Sequence, residues 1–320
     1  MKIKTINKLL TKKFEDFLSS ITDDKTREAI KNNSIITGGS IASMLLREKI
    51  NDYDIYFTNK STALLAAKYF VNKYNKVNDR NIEVIDGEEY QQYVADHVKQ
   101  GIPENEVVYK GVMGLNLTAD RIKIAVKGLE RENGIDPNSD SDIDDATNDI
   151  VNQLSSDSKE KYRVVALSCN AISLSDDIQL VIRFYGYGSP EMVHETYDFI
   201  HATNYWTSHD KKLHINQDAL ESLITKELKY FGSKYPIASV IRTKKFLNRG
   251  WTCNAGQYLK MCFQISELDL NDMAVLEDQL TGVDVAYFNL LINAIKSKKE
   301  SDPDFNTGYE YISKIIDSIF

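Results

Sequence analysis

The sequence predicts an α+β protein, with a mixed-sheet domain in front and an all-helical domain behind. Three observations predict it. Over roughly the first 210 residues, β-type runs alternate with helical repeats. From 216 onward every apolar repeat has helical spacing. The composition, 42% hydrophobic and 27% charged over 320 residues, is that of a globular chain long enough for about two domains. The expected domains are therefore 1–210 and 211–320, with a flexible acidic insertion at 132–160 inside the first.

Each element has its own signal. Leu9, Leu10, Phe14, Phe17 and Leu18 repeat at helical spacing within 5–32, where Asp23 or Asp24 would cap a second short helix. Residues 34–37 (SIIT) form a β-type run that meets Gly38-Gly39-Ser40, and a helical stretch, IASMLLREK, follows. Residues 51–57 (NDYDIYF) alternate like a strand. Ser61 is placed to cap an amphipathic helix to about Asn75, and 81–85 (NIEVI) read as strand. Residues 86–130 give no clear pattern beyond a possible strand in IKIAVKG. Strand signals resume at 162–167, 170–174 and 178–186, with Asp176 and Asp177 as a hairpin turn. A helical turn begins at Pro190, and the aromatic-rich 197–206 read as strand. Behind them, Leu220, Leu223, Ile224, Leu228 and Phe231 make one helical stripe ended by Gly232, and Pro236 and Gly250 bracket a second helix. Further helices fit 255–265, 271–281, 283–298 and 306–319.

Charge is unevenly distributed. Residues 130–160 hold ten acids against Arg131 and Lys159, which accounts for the net charge of −8. The rest balances, so the acidity does not exclude an anionic partner for the folded body. Residues 211–250 carry nine Lys or Arg against three acids, a candidate anion-facing patch. No apolar run reaches membrane-spanning length, the N-terminus lacks a signal-peptide core, and Cys169, Cys253 and Cys262 have neither disulfide nor zinc spacing. A cytoplasmic protein with reduced thiols and no membrane partner is expected. The chain lacks G-x-x-x-x-G-K-[ST], G-x-G-x-x-G and H-E-x-x-H, which removes three common site chemistries.

Two features suggest chemistry. Gly38-Gly39-Ser40 stands between a strand and a helix, where glycine allows a tight turn and the helix N-terminus offers free N–H groups to an anion. Asp52 and Asp54, two apart on a strand, point to one face, and two adjacent carboxylates suit a cation such as Mg²⁺.

The stretch IITGGSIASMLLREKINDYDIYF resembles the nucleotidyltransferase superfamily of DNA polymerase beta type. The resemblance is close over 34–57 and loose over 34–206. It implies an enzyme that moves an NMP from an NTP, with ATP as the implied nucleotide, to an acceptor hydroxyl by two-metal chemistry with Mg²⁺ or Mn²⁺. Gly38, Gly39 and Ser40 would grip phosphates, and Asp52 and Asp54 would hold metal. The third carboxylate the family uses falls on Asp198, with Glu83 and Asp177 as alternatives. The helical back half resembles that of poly(A) polymerases and CCA-adding enzymes, which makes an RNA 3′ end the implied acceptor. There Arg242, Lys245 and Arg249 share a helix face that would bind phosphate, and Tyr230, Phe231, Tyr235 and Trp251 would stack a base unless they pack as core. Two alternatives accompany this reading: an inactive protein on the same fold that binds a partner, with 132–160 as a protein-contact segment, or a transferase that modifies protein. His194 and His201 are expected to pack or sit on the surface.

Overall fold

The computed structural model describes residues 1–110, 112–113, 115, 117–126, 130–131, 160–183, 188–270, 272, 275 and 279. The acidic segment lies outside them except for Glu160. So do the helices expected at 283–298 and 306–319, and all but three residues of the one at 271–281.

An eight-stranded mixed sheet organises the first part of the chain. Its strands are β1 (Ser34–Thr37), β2 (Tyr53–Phe57), then, after β3 to β6 described below, β7 (Glu130–Arg131), β8 (Val164–Leu167), β9 (Ala171–Leu174), β10 (Ile178–Val181), β11 (Tyr205–Thr207) and β12 (Lys212–His214). The order across the sheet is β12-β11-β1-β2-β10-β9-β8-β7. Only β2 and β10 run parallel; the other neighbours are antiparallel.

Helices α1 (Ile3–Ser19), α2 (Asp24–Asn32) and α4 (Lys60–Asn78) share the sheet's apolar core, with α3 (Gly39–Leu46) between β1 and β2. On α1, Ile6, Leu10, Phe14 and Phe17 recur at three- and four-residue intervals and are all buried. Phe14 meets Trp206 of β11 with ring centroids 5.1 Å apart, and Phe17 stacks on Phe70 of α4. Burying each such side chain contributes about 1.5–3 kcal/mol. Asp23 caps α2 by accepting from the Thr26 N–H at 2.7 Å, as its position predicts. The cap of α4 is Asn59 rather than Ser61: Asn59 Oδ1 accepts from the Thr62 N–H and, on its other side, from the Ser61 hydroxyl.

A second, smaller core fills the stretch whose pattern was unclear. Strands β3 (Val84–Asp86) and β6 (Ile122–Ile124) pair, as do β4 (Val108–Tyr109) and β5 (Val112–Met113), and α5 (Gly87–Lys99) joins them. Ile85, Tyr90, Val94, Val107, Tyr109, Leu115 and Leu117 pack together. Gly87 is required here, since a Cβ would lie 2.0 Å from the Thr118 carbonyl oxygen.

The chain divides into two compact units. One is Met1–His194 with Asn204–Ile215; the other is Glu195–Thr203 with Asn216–Phe320. The described part of the second unit holds α7 (Gln217–Thr225), α8 (Pro236–Asn248) and α9 (Ala255–Ser266); α6 (Pro190–His194) belongs to the first. Two expectations need correction. Residues 197–206 are not one strand: Ile200–Ala202 make a 3₁₀ turn, and β11 starts only at Tyr205. The first helix of the second unit ends at Thr225 because Lys226 turns left-handed at φ 50°, so Leu228 and Phe231 lie beyond it. The apolar spacing continues past that turn because Leu228 is buried as irregular chain.

Candidate functional site

The register of the sheet sorts its side chains into two rows. Residues directly opposite across a strand pair project to the same face. One row runs Trp206, Ile36, Ile55, Leu180, Ile172, Leu167, all buried against the helices. One residue over, the row on the other face runs Tyr205, Thr37, Asp54, Gln179, Ser173. Thr37 is buried, and the other four are half-buried. A polar band thus crosses the centre of the sheet on the face opposite the apolar core.

Asp54 sits at the middle of the band. Burial pushes its carboxyl well above the usual carboxylate range, and the nearby charge of Asp52 pushes the same way. The two acids lie where the alternating pattern predicts, Asp52 just before the start of β2.

Thr37 ends β1 and leads into the glycine turn. Its hydroxyl lies 2.9 Å from His194 Nε2 on α6 and donates to the Asn204 carbonyl at 3.0 Å. A hydroxyl has one proton and a carbonyl only accepts, so Nε2 carries the hydrogen and donates to Thr37. Burial pushes His194 down to about 4, which keeps the ring neutral at pH 7. Tyr205 packs beside it, ring centroids 5.6 Å apart, and donates to Glu191 at 3.4 Å.

Gly38 caps α3 at φ 92°, ψ −147°, a conformation only glycine adopts readily. Gly38 has no side chain to cap the N–H groups of this helix start. Gly39 faces open space: a Cβ there would meet nothing within 4 Å. Ser40 is 2% exposed, and among the described residues its hydroxyl has no hydrogen-bond partner. Such a group costs about 1–3 kcal/mol unless something satisfies it.

The remaining expected residues lie elsewhere. Asp198 belongs to the second unit, where Oδ2 pairs with Arg242 Nη1 and Oδ1 accepts from the Phe199 N–H at 3.0 Å. Lys245 on α8 is half-buried, and Arg249 is exposed at its end. Glu83 pairs with Lys110 at 3.5 Å. Asp176 and Asp177 form the hairpin turn between β9 and β10, with φ 60° and 57°. Tyr230, Tyr235 and Trp251 are core, and Phe231 is 48% exposed. His201 is buried among Phe199, Phe246 and Trp251, its Nδ1 without a hydrogen-bond partner among the described residues, and burial pushes it down to about 4. Among the described residues, no group of three or more His, Cys, Asp or Glu is arranged to hold a metal ion. The two acids alone do not complete a two-metal centre.

Thr37, Gln179 and Ser173 escaped the sequence reading, whereas His194 packs as expected. The polar letters in otherwise apolar strands were the available signal, but only the register shows that they align.

Comparison with known proteins changes the functional frame. Residues 8–226 match the family described as Gabija anti-defense 2 family protein. A protein of Bacillus phage SPbetaL7 named Gabija anti-defense 2 is 23% identical over 140 residues, 43% of this chain and 34% of that protein. The chain therefore matches about a third of that relative's length. No solved structure matches.

These matches overturn the polymerase beta-type resemblance. The NMP transfer to an RNA 3′ end falls with it, as do the inactive-fold and protein-modifying alternatives. The ATP, magnesium and RNA binding it implied no longer have that resemblance behind them. The physical reason is how little the motif specifies. A glycine cap at a strand-to-helix turn, followed by acids on a strand with one polar face, satisfies the same 24-residue pattern without that ancestry. The match instead spans the whole described sheet, and the chain belongs to the Gabija anti-defense 2 family.

Proposed function

We propose that this protein counters the Gabija defence by binding a protein of that system, and that the polar sheet face around Asp54 is the surface through which it acts. The family match over 8–226 carries the first half, since it contains every strand of the sheet. The second half rests on where the fold accepts costs. Asp54 is held in surroundings that disfavour its charge, Ser40 keeps an unpaired hydroxyl, and Gly38 is held in a glycine-only conformation. Three such costs lie along one β1–turn–α3–β2 unit, and groups of this kind concentrate at functional sites. The band offers hydroxyl, amide and carboxyl groups at half-burial, suited to hydrogen-bonding with a partner's polar surface. We place this action in the cytoplasm; among the described residues no helix is long and apolar enough to cross a membrane. We read the back half as a helical module that follows the sheet unit.

The test is a phage challenge of bacteria that carry the Gabija system and express the tagged chain. Wild type should restore plating and co-purify a protein of the system. Asp54→Lys and Gln179→Lys, shown folded by circular dichroism, should lose both. Full plating by both folded variants would remove the sheet face from the reading. Failure of the wild type to co-purify any such protein would remove the binding mechanism.

A further inference from the structure

We propose that the solvent face of the first turns of α1 is an interaction surface for an acidic segment of a partner protein. Ile6, Leu10, Phe14 and Phe17 give one side of this helix to the core. The opposite side carries Lys4, Thr5, Lys8, Leu9 and Lys12, all exposed. The three lysines follow one another at four-residue spacing, so they form one row that rises by about 6 Å per step. Leu9, 42% exposed, lies beside that row, within a helical turn of both Thr5 and Lys12.

The placement of these charges costs the fold something. A helix start is its positive pole, where acids are favoured and bases are not. Helices α2 and α5 follow that rule, with Asp24 or Glu88 and Glu89 in the first turn and Lys31 or His97 and Lys99 in the last. Where α4 opens on Lys60, Asp86 pairs with it. Helix α1 reverses the rule: Lys2 stands at its N-cap, its first turn holds Lys4 and no acid, and Glu15 and Asp16 come late. Like charges four residues apart also repel along the row. Glu15 pairs with Lys211 and Asp16 with Lys161, whereas among the described residues Lys4, Lys8 and Lys12 form no ion pair. The open charge of α1 is thus all positive, and folding gains nothing from it.

The mixture of groups selects the partner. An acidic protein segment offers carboxylates to the lysines and apolar groups to Leu9. A nucleic-acid backbone has no counterpart for Leu9 and is gripped best by arginine forks and stacking aromatics. Residues 1–13 contain neither arginine nor an aromatic side chain. A membrane surface needs a wider apolar face than one leucine. Helix α1 covers the apolar side of the sheet, so this surface is independent of how the Asp54 band on the other side is read.

The full chain is titrated into a fluorescent peptide of glutamate pairs separated by single leucines, and binding is read by anisotropy. The wild type should bind, and added salt should weaken the binding. Lys4→Gln/Lys8→Gln/Lys12→Gln should weaken it about tenfold or more, and the corresponding triple arginine variant should keep it. Lys8→Glu should weaken it while melting no lower than the wild type, because it sets opposite charges four residues apart. That separates lost binding from lost folding. No binding by the wild type, or equal binding by the glutamine variant, would overturn the proposal. Tighter lysine-dependent binding of a single-stranded oligonucleotide of the same charge, or of phosphatidylserine vesicles, would overturn it in favour of another partner class.

Discussion

Two rows on opposite faces of the central sheet are one residue apart in β1, β2, β10 and β9 and differ in chemistry, although the face of the polar row also carries the buried Ile35 and Tyr56. On one face Ile36, Ile55, Leu180 and Ile172 lie next to one another under α1 and α4 and are wholly or almost wholly buried. On the other, Thr37, Asp54, Gln179 and Ser173 occupy the adjacent positions of the same strands. The period of two makes this possible, because a strand can give one set of side chains to the core while the other set is free to serve something else. Stability should therefore reside on the first face and function on the second.

The comparison breaks most visibly if truncation costs the same on both faces. Ile55→Ala removes a side chain that is 1% exposed at the centre of the core row. It should lower unfolding free energy by about 2–5 kcal/mol in urea titration. Gln179→Ala, on the next strand but the other face, should change it by less than about 0.5 kcal/mol. Similar losses from both would mean that the polar row is core in all but name.

Acid should act next most strongly, and through the two buried histidines. Burial pushes each from 6.5 to about 4. The folded state therefore holds them neutral while the unfolded chain takes up protons from about pH 6.5 downward. Stability is full above 6.5 and is lost as pH falls toward 4, by up to about 3 kcal/mol per histidine. Thermal melting across that window should show the fall, and His194→Gln, which keeps a donor for Thr37, should reduce it. An unchanged slope in that variant would mean that His194 titrates like an exposed imidazole.

Much of the first face was legible in the sequence, and little of the second. SIIT and YDIYF announced β1 and β2, and the placing of Ile55 toward the core follows from alternation alone. Asp52 and Asp54 stood out because acids in an apolar strand are conspicuous. Their alignment with Gln179 was not readable, since β10 reaches β2 from more than a hundred residues downstream and register is a long-range property. Asp198 was misplaced because the aromatic run around it reads as strand, whereas the structure inserts a 3₁₀ turn and gives the acid to Arg242. The tight helix α5 was missed although Asp86 caps it, because one short apolar pair, Tyr90 and Val94, carries its whole buried face. Function was the least legible: a short motif at a common turn matched a large superfamily, and only similarity over 8–226 identified the family.

Asp54→Asn sharpens the contrast on the functional face. The folded state holds this carboxyl protonated to higher pH than the unfolded chain does. Asp54 thus favours folding most at low pH, and that contribution is lost as pH rises through its folded value. The variant does not titrate, so it should melt above the wild type at pH 8, with the gap closing toward pH 4. On the proposed function it should also lose the ability to restore phage plating, the usual relation where a site is kept at a cost to stability. A variant that melts lower at pH 8 would show the carboxylate to be favourably solvated or paired.

Gly39→Ala carries the smallest expected effect and the finest discrimination. Gly38, its neighbour, needs its φ of 92°, but Gly39 begins α3 and an added methyl there meets nothing within 4 Å. Alanine should therefore stabilise the protein by about 0.4–1 kcal/mol, mainly by restricting the unfolded chain. If the polar face acts on a partner that approaches this turn, the same methyl obstructs it, and phage plating falls while the melting temperature rises. Stability and activity rising together would mean that no partner comes near Gly39. The functional surface would then be confined to the strands, where Asp54, Gln179 and Ser173 lie, and the cost of the unpaired Ser40 hydroxyl would have to be explained by the packing of α3 itself.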